Sequence, residues 1–405
     1  MLQRRLLMLI GIALALLVVV ASAVAYLLTP HGGGMVSDTT TSQRTATPAV
    51  TISSGCGVKK NNDGTYRFSW LHVSPQGQVV DEKNCVVPLV GFNMGALFLG
   101  NAGGNTTFAK LQWYKQNFPM NVVRVNFNSR WWVDNVYVPD AKMNFRDWLQ
   151  TYVKWHEELG NYVMLDKGPH FAEPPCQTGS KIACPNQDEG KRDYQKSPNV
   201  ETAKALEDYI GYDVQAWTDI AKLYANDPAI LYDAWNEPTL KDLPIFFQDM
   251  NTLINTIRMQ NPNALVIVYQ RGYSNIMKSG FPNYTQPNLV IDAHVYPKFN
   301  GVSPATKQMC HSPGTDGWTP ESSSLNALVQ FAHSHGQAFI LNEWGGCYDV
   351  PQYHQLITSY AKQQGVGLVY FQASNVVADP KASPLRVNSN GTQVKAAYAD
   401  ILGVR

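Results

Sequence analysis

The sequence predicts an α/β protein, a closed (β/α)8 TIM barrel with a small N-terminal β-hairpin, preceded by a membrane-targeting helix and a flexible linker. Three observations predict it. Residues 1–29 carry one long uncharged run, and residues 30–52 are small and polar. Beyond them, roughly 350 residues alternate short Val-, Ile-, Leu- and Tyr-rich runs with longer amphipathic stretches, the pattern of a parallel sheet with crossover helices. Eight such units in one domain favour a closed barrel over a doubly wound open sheet.

In chain order, Arg4 and Arg5 precede the uncharged run Leu6–Leu28. At about 1.5 Å per helical residue this run is long enough to cross a hydrocarbon core of roughly 30 Å. Ala21-Ser22-Ala23 and Ala23-Val24-Ala25 offer small-residue cleavage sites, so the segment reads either as a retained anchor or as a removed signal peptide. In both cases the arginines favour the cytoplasmic side and place everything after Thr29 outside the cell. Residues 30–52 then have the composition of a tether, and a single domain is expected over 53–405.

The segment 66–87 reads as an antiparallel hairpin with turns at Pro75-Gln76-Gly77 and around Asp81–Asn84, placed to cap the barrel floor. The strands expected are Val86–Met94, Asn121–Asn128, Asn161–Gly168, Ala229–Pro238, Ala264–Ser274, Leu289–Pro297, Ala338–Gly346 and Val366–Ser374. Helical periodicity fills 146–160, about 200–226, 245–261, 324–336 and 352–365. The fifth crossover has the weakest pattern.

Composition narrows the function. Lys and Arg total 32 against 31 Asp and Glu, a net charge of +1, which argues against a nucleic-acid partner. With 44% hydrophobic and 16% charged residues, global disorder is excluded. The six cysteines are even in number and lie beyond the tether, in a compartment where disulfides persist; their spacings resemble no zinc knuckle, so no metal is expected. Sequence alone permits 15 pairings of six cysteines.

In such a barrel, chemistry sits where strands end. The second strand ends VVRVNFN with Arg124, the fourth LYDAWNEP with Asn236 and Glu237, the sixth DAHVYP with His294 and Tyr296, and the seventh LNEWGG with Glu343. Ions inside apolar strands are costly unless paired or functional, so the bland reading is a structural ion pair between Arg124 and a glutamate. Two glutamates across a barrel mouth are also what glycosidic hydrolysis requires, one protonated to serve the leaving oxygen and one ionised to attack the sugar carbon.

Taken together, NEP after a strand, NEWGG on a later strand, RVNFN, HVYP and the opening LHVSPQGQVVDEKNCVVPLVGFN resemble glycoside hydrolase family 5, the cellulase and mannanase type of retaining glycosidase. The resemblance spans most of 66–374. It implies a (β/α)8 barrel, no metal or cofactor, and double displacement on β-linked glycans, a polysaccharide or oligosaccharide substrate. By motif, Glu237 resembles the acid/base and Glu343 the nucleophile. Asn236 would hold the sugar 2-hydroxyl, Arg124 would keep Glu343 ionised and oriented, Tyr296 would hydrogen-bond the nucleophile, and His294 would line the same wall. Two positions depart from the family pattern. VMLDKGPH places Lys167 where a histidine is usual, and YFQASN places Phe371 and Gln372 where a tryptophan is usual. His170 is then a substitute from the loop, and Trp344 or Trp235 a substitute sugar platform.

After the second strand, SRWWVDNVYVPDAK offers Trp131, Trp132 and Tyr137 as stacking platforms, with buried packing the alternative for each. A long stretch after the third strand, on the catalytic face, holds Cys176 and Cys184 eight positions apart, where a local bridge would stiffen it. Cys310 and Cys347 become neighbours on that face if the barrel is right, leaving Cys56 and Cys85 to clamp the hairpin. Two rivals stay open: a non-catalytic carbohydrate-binding surface protein on a degenerate barrel, and a transglycosylase using the same residues. Oligomeric state carries no signal, and the sequons at Asn105, Asn283 and Asn390 matter only in a glycosylating host.

Overall fold

A computed structural model describes residues 55–94, 107–138, 141–168, 203–236, 243–269, 284–295, 323–344 and 351–370, all within one compact unit, Ala46–Arg405. Four short antiparallel strands lie outside the barrel at the start of this unit: β1 (Val58–Lys60), β2 (Tyr66–Phe68), β3 (His72–Val73) and β4 (Val79–Val80). They pair as β1 with β2 and β3 with β4, giving two hairpins where the sequence suggested one. The turns are as expected: Gly77 N–H donates to the Ser74 carbonyl at 2.9 Å, and Asn84 N–H to the Asp81 carbonyl at 2.8 Å.

The barrel strands follow as β5 (Val90–Asn93), β6 (Val122–Phe127), β9 (Tyr162–Lys167), β10 (Ile230–Asp233), β11 (Val266–Tyr269), β12 (Leu289–Val295), β13 (Ala338–Trp344) and β14 (Gly367–Tyr370). All eight pair in parallel, and β14 closes on β5. The two-residue strands β7 (Tyr137–Val138) and β8 (Met143–Asn144) form a separate hairpin after β6. All eight barrel strands fall within the predicted spans, and four of them, β5, β10, β11 and β14, are four residues long. Helices occupy Phe108–Asn117, Ser129–Asp134, Phe145–Glu158, Ala203–Leu223, Leu243–Gln260, Ser323–Ser334 and Pro351–Gln364. The fifth crossover, 270–283, lies outside the described residues.

Side-chain alternation divides the barrel into an outer layer and a lumen. Val123, Val125, Val163 and Leu165 pack outward with Leu149, Val153, Trp217 and Ile254 of the helices. Val122, Met164, Leu231, Ile267, Val290, Ile340 and Val369 form a second cluster with Leu71, Val87 and Leu89, and Val58, Phe68, Val73 and Val79 of the hairpins pack against it. The hairpins therefore close the end at which the strands begin. The Tyr162 hydroxyl fastens them by donating to the Gly57 and Ser69 carbonyls, both at 2.9 Å, and the Cys56–Cys85 disulfide joins their start to the lead-in of β5. Only a glycine fits at 91, because a Cβ there would stand 1.7 Å from the Val122 carbonyl oxygen. With the floor filled by apolar side chains, polar groups are left for the opposite end.

Among the described residues no helix is long and apolar enough to cross a membrane. Residues 1–29 and the tether lie outside them, as do Cys176, Cys184, Cys310 and Cys347.

Candidate active site

The upper lumen is built around one buried cation. Arg124 points inward from β6, fully buried, and its guanidinium contacts five side chains. Nε donates to Asp233 Oδ2 at 2.8 Å, Nη1 to Glu343 Oε1 at 2.5 Å and to Asn93 Oδ1 at 2.9 Å, and Nη2 to Asn236 Oδ1 at 2.6 Å. Asp166 Oδ2 lies 3.1 Å from Nη2 and also accepts from the Asn126 amide. The planar five-donor fork of arginine suits this arrangement; a lysine would not reach as many oxygens.

Burial opposes the Arg124 charge, yet Asp166, Asp233, Glu343 and Asp292 together hold it well above its ordinary pKa. Several carboxyl groups share this one guanidinium. Burial drives Asp166 well above the usual carboxylate range, with repulsion from Asp233 and Glu343 adding to it and Arg124 opposing it. Burial pushes Asp233 up to about 6, Arg124 again opposing and Asp292 adding. Of the three carboxyl groups in contact with Arg124, Asp166 and Asp233 are thus held by the cation against a burial that favours their protonated forms.

Glu343 sits on top of this network. It is 6% exposed, against 0% for Asp166, Asp233 and Asp292, which makes it the carboxylate of the group nearest the mouth. Oε1 is held by Arg124, and Oε2 lies 3.4 Å from His294 Nδ1, while His294 Nε2 lies 3.4 Å from Asp292 Oδ2. The Tyr269 ring packs against His294 at 4.5 Å. Strict alternation would turn Glu343 outward with Phe339 and Leu341. A bulge prevents this: Ala293 pairs with Leu341 and His294 with Glu343, so Asn342 is an extra residue on β13, and both Asn342 and Glu343 face the lumen.

Arg124, Asn236, His294 and Glu343 thus come together. Glu237 and Tyr296 lie outside the described residues, as do His170, Phe371 and Gln372. Three expectations are corrected. Lys167 does not line the sugar site: it has the outward parity of Val163 and Leu165, its ammonium lies 3.3 Å from Asp213 of the helix Ala203–Leu223 and 5.2 Å over the Trp235 ring, and its side chain is 1% exposed. The inward residue of that strand end is Asp166. Trp131 is no platform either, because Asn128 Oδ1 accepts from its N–H and caps a short helix that turns its ring onto Phe145 at 5.7 Å. Trp344 is 1% exposed and packs edge-on against Tyr370 at 5.0 Å. Sequence reading missed Asn93, Asn126, Asp166, Asp233, Asp292 and Asn342. Parity with Arg124 and His294 was the available signal for Asn126 and Asp292.

Among the described residues no group of three or more His, Cys, Asp or Glu side chains is arranged to hold a metal ion.

The Cellulase family model, glycosyl hydrolase family 5, matches residues 80–376. A search of curated protein sequences finds no match. Among solved structures, the catalytic domain of Thermobifida fusca endoglucanase Cel5A aligns with a TM-score of 0.56 at 14% identity, over 82% of this chain and 96% of that one. Thermotoga maritima Cel5A in complex with mannotriose aligns with a TM-score of 0.55 at 11% identity, over 78% and 97%. Endo-glycoceramidase II from a Rhodococcus species aligns with a TM-score of 0.54 at 18% identity, over 82% and 80%. At these identities the structural likenesses establish the shared barrel.

Proposed function

The chain belongs to glycosyl hydrolase family 5, the cellulase family, and on that premise we propose that it is an extracytoplasmic retaining β-glycosidase acting on a β-glucan or β-mannan type glycan. It is a glycoside hydrolase with a cellulase-like TIM barrel, and hydrolysis of β-linked glycans follows from the family. Glu343 is the nucleophile and Glu237 the acid/base. The observation that carries this reading is the placement of Glu343, aimed into the mouth by the β13 bulge and gripped by Arg124 at 2.5 Å.

In the first step Glu237 gives its proton to the leaving oxygen while a Glu343 oxygen attacks the anomeric carbon from the opposite face. Arg124 fixes one Glu343 oxygen, and the other, 3.4 Å from His294 Nδ1, is the one that attacks; this orientation lowers the cost of reaching the transition state. Asn236, anchored through its amide oxygen on Arg124 and through its backbone N–H on the Lys167 carbonyl at 2.9 Å, presents its NH2 group to the sugar 2-hydroxyl. Water then hydrolyses the glycosyl-enzyme, with Glu237 acting as base. The endoglucanase and mannotriose-bound neighbours support a glucan or mannan substrate, and the apolar run of residues 6–28 supports an extracytoplasmic location, whether the run is kept as a membrane anchor or removed.

The test uses the purified domain from about Ser53 onward against β-glucans, mannans, xylans and aryl β-glycosides, with Glu343→Ala as blank. Release of reducing sugar by the wild type alone supports the reading. Equal release by both proteins, or by neither, contradicts it.

A further inference from the structure

The residue that aims the nucleophile is itself held by three strands. Asn342 is the extra residue of β13, with two β13 residues standing against one of β14 between the Leu341–Leu368 and Trp344–Tyr370 pairs. Its side-chain NH2 donates to Asp233 Oδ2 on β10 at 2.8 Å and to Asp292 Oδ2 on β12 at 3.0 Å. Its backbone carbonyl accepts from the Asn93 amide of β5 at 3.0 Å. Two carboxylate oxygens facing one side chain fix which end of the amide points at them, since only the NH2 end can donate. Asp233 Oδ2 also accepts from Arg124, whose other nitrogen grips Glu343. Asn342, Asp233, Arg124 and Glu343 therefore form a closed ring, completed by the peptide bond between 342 and 343.

We propose that Asn342 is the positioning residue for the Glu343 nucleophile, pinning the β13 bulge so that the carboxylate meets Arg124 and the anomeric carbon rather than turning outward. The inference rests on the assignment of Glu343 as nucleophile. A bulge left unpinned can relax toward regular pairing, and regular alternation sends position 343 to the helix-facing side of the strand. The fully buried NH2 also stands between the Asp233 and Asp292 carboxyl groups and donates to both.

The experiment reads one step. A 2,4-dinitrophenyl 2-deoxy-2-fluoro-β-glycoside of the sugar found by the substrate panel needs no proton donor and stops at the glycosyl-enzyme, so its first-order labelling rate, followed by intact mass, reports attack by the nucleophile. That rate does not depend on how much of a preparation is folded, whereas the final labelled fraction does. Asn342→Ala is expected to label about ten- to a hundredfold more slowly than the wild type at saturating probe. An unchanged rate with a smaller labelled fraction would show a purely structural role and overturn the proposal.

Asn342→Asp preserves volume and guards against collapse of the first variant. The new carboxyl would face Asp233, Asp292 and His294, with Arg124, Asp166 and Glu343 behind them, and it can donate only when protonated. Its labelling rate relative to wild type is therefore expected to rise as pH falls, and a constant ratio would count against the proposal. A wild type that hydrolyses no glycan of the panel and takes up no label from the corresponding fluoro-glycosides would instead refute the assignment of Glu343, a result distinct from either of these.

Discussion

At the scale of single residues, the arrangement around Arg124 separates groups that react from groups that hold. Glu343→Ala is expected to abolish glycan hydrolysis while leaving the melting temperature close to wild type, because Arg124 keeps Asp166 and Asp233 as carboxyl partners when Glu343 is removed. Activity assays beside thermal melts check both halves. Arg124→Leu should behave differently. Breaking a buried ion pair by removing one partner costs about 3–5 kcal/mol, and here four carboxylates lose their cation, so loss of folded protein should accompany loss of activity. Circular dichroism and yield of soluble protein would show it, and a stable but inactive Arg124→Leu would mean that the carboxylates are neutralised some other way. The sequence made Arg124, Asn236, His294 and Glu343 legible because a charge or amide at the end of an apolar strand stands out. It hid Asp166 behind Lys167: VMLDK is apolar on both faces, so nothing in the letters says which of two adjacent charged residues points inward. Only the pairing of β9 with β6, which sets Asp166 opposite Asn126, decides the parity.

At the scale of elements, the same limit appears twice more. Trp131, following a strand, could be read as a stacking platform or as packing, and the Asn128 cap decides it by starting a helix there that turns the ring into the core. The bulge on β13 leaves no mark in LNEWGG, since an extra residue is defined only against the neighbouring strands. The helix Phe145–Glu158 carries a different consequence at its end. Burial, reinforced by Lys115, drives His156 down to about 3. Above its unfolded value, near 6.5, His156 is neutral in both states and costs nothing; as pH falls from there toward 3 the unfolded chain takes up a proton that the fold refuses, and stability is lost. The next residue works the other way. Burial and then the Asp227 carboxylate push Glu157 up to about 8, so its contribution is whole below the unfolded value of 4.5, where both states are protonated, and is lost as pH rises from there to about 8. Melting temperatures from pH 4 to 9 should therefore fall less as pH drops below about 6.5 in His156→Leu, and less as pH rises from about 4.5 to about 8 in Glu157→Gln. Profiles parallel to wild type would contradict the burial argument.

At the scale of the whole molecule, the barrel was readable because its signal is repeated: eight apolar runs of strand length separated by amphipathic ones leave few topologies open. The N-terminal part was less so, since the three-residue strands β1 and β2 carry too few residues to show a period, and their hairpin stands beside the predicted one. The Cys56–Cys85 bridge closes a separation of 29 residues, and loop closure of that length is worth about 3–4 kcal/mol in the chain-entropy account. Reductant should lower the melting temperature by a few degrees, and a Cys56→Ala/Cys85→Ala variant should match the reduced protein in this respect once its remaining cysteines are also reduced; an unmoved transition would show that the bridge constrains nothing. The central claim is that a single carboxylate, Glu343, forms the bond to sugar. It is tested most directly by trapping the wild type with the 2-deoxy-2-fluoro-β-glycoside of its sugar and sequencing the labelled peptide by mass spectrometry. One glycosyl group per chain, on Glu343, is expected. A label on another residue, or continued hydrolysis of the parent glycan by an enzyme that never acquires one, would contradict it.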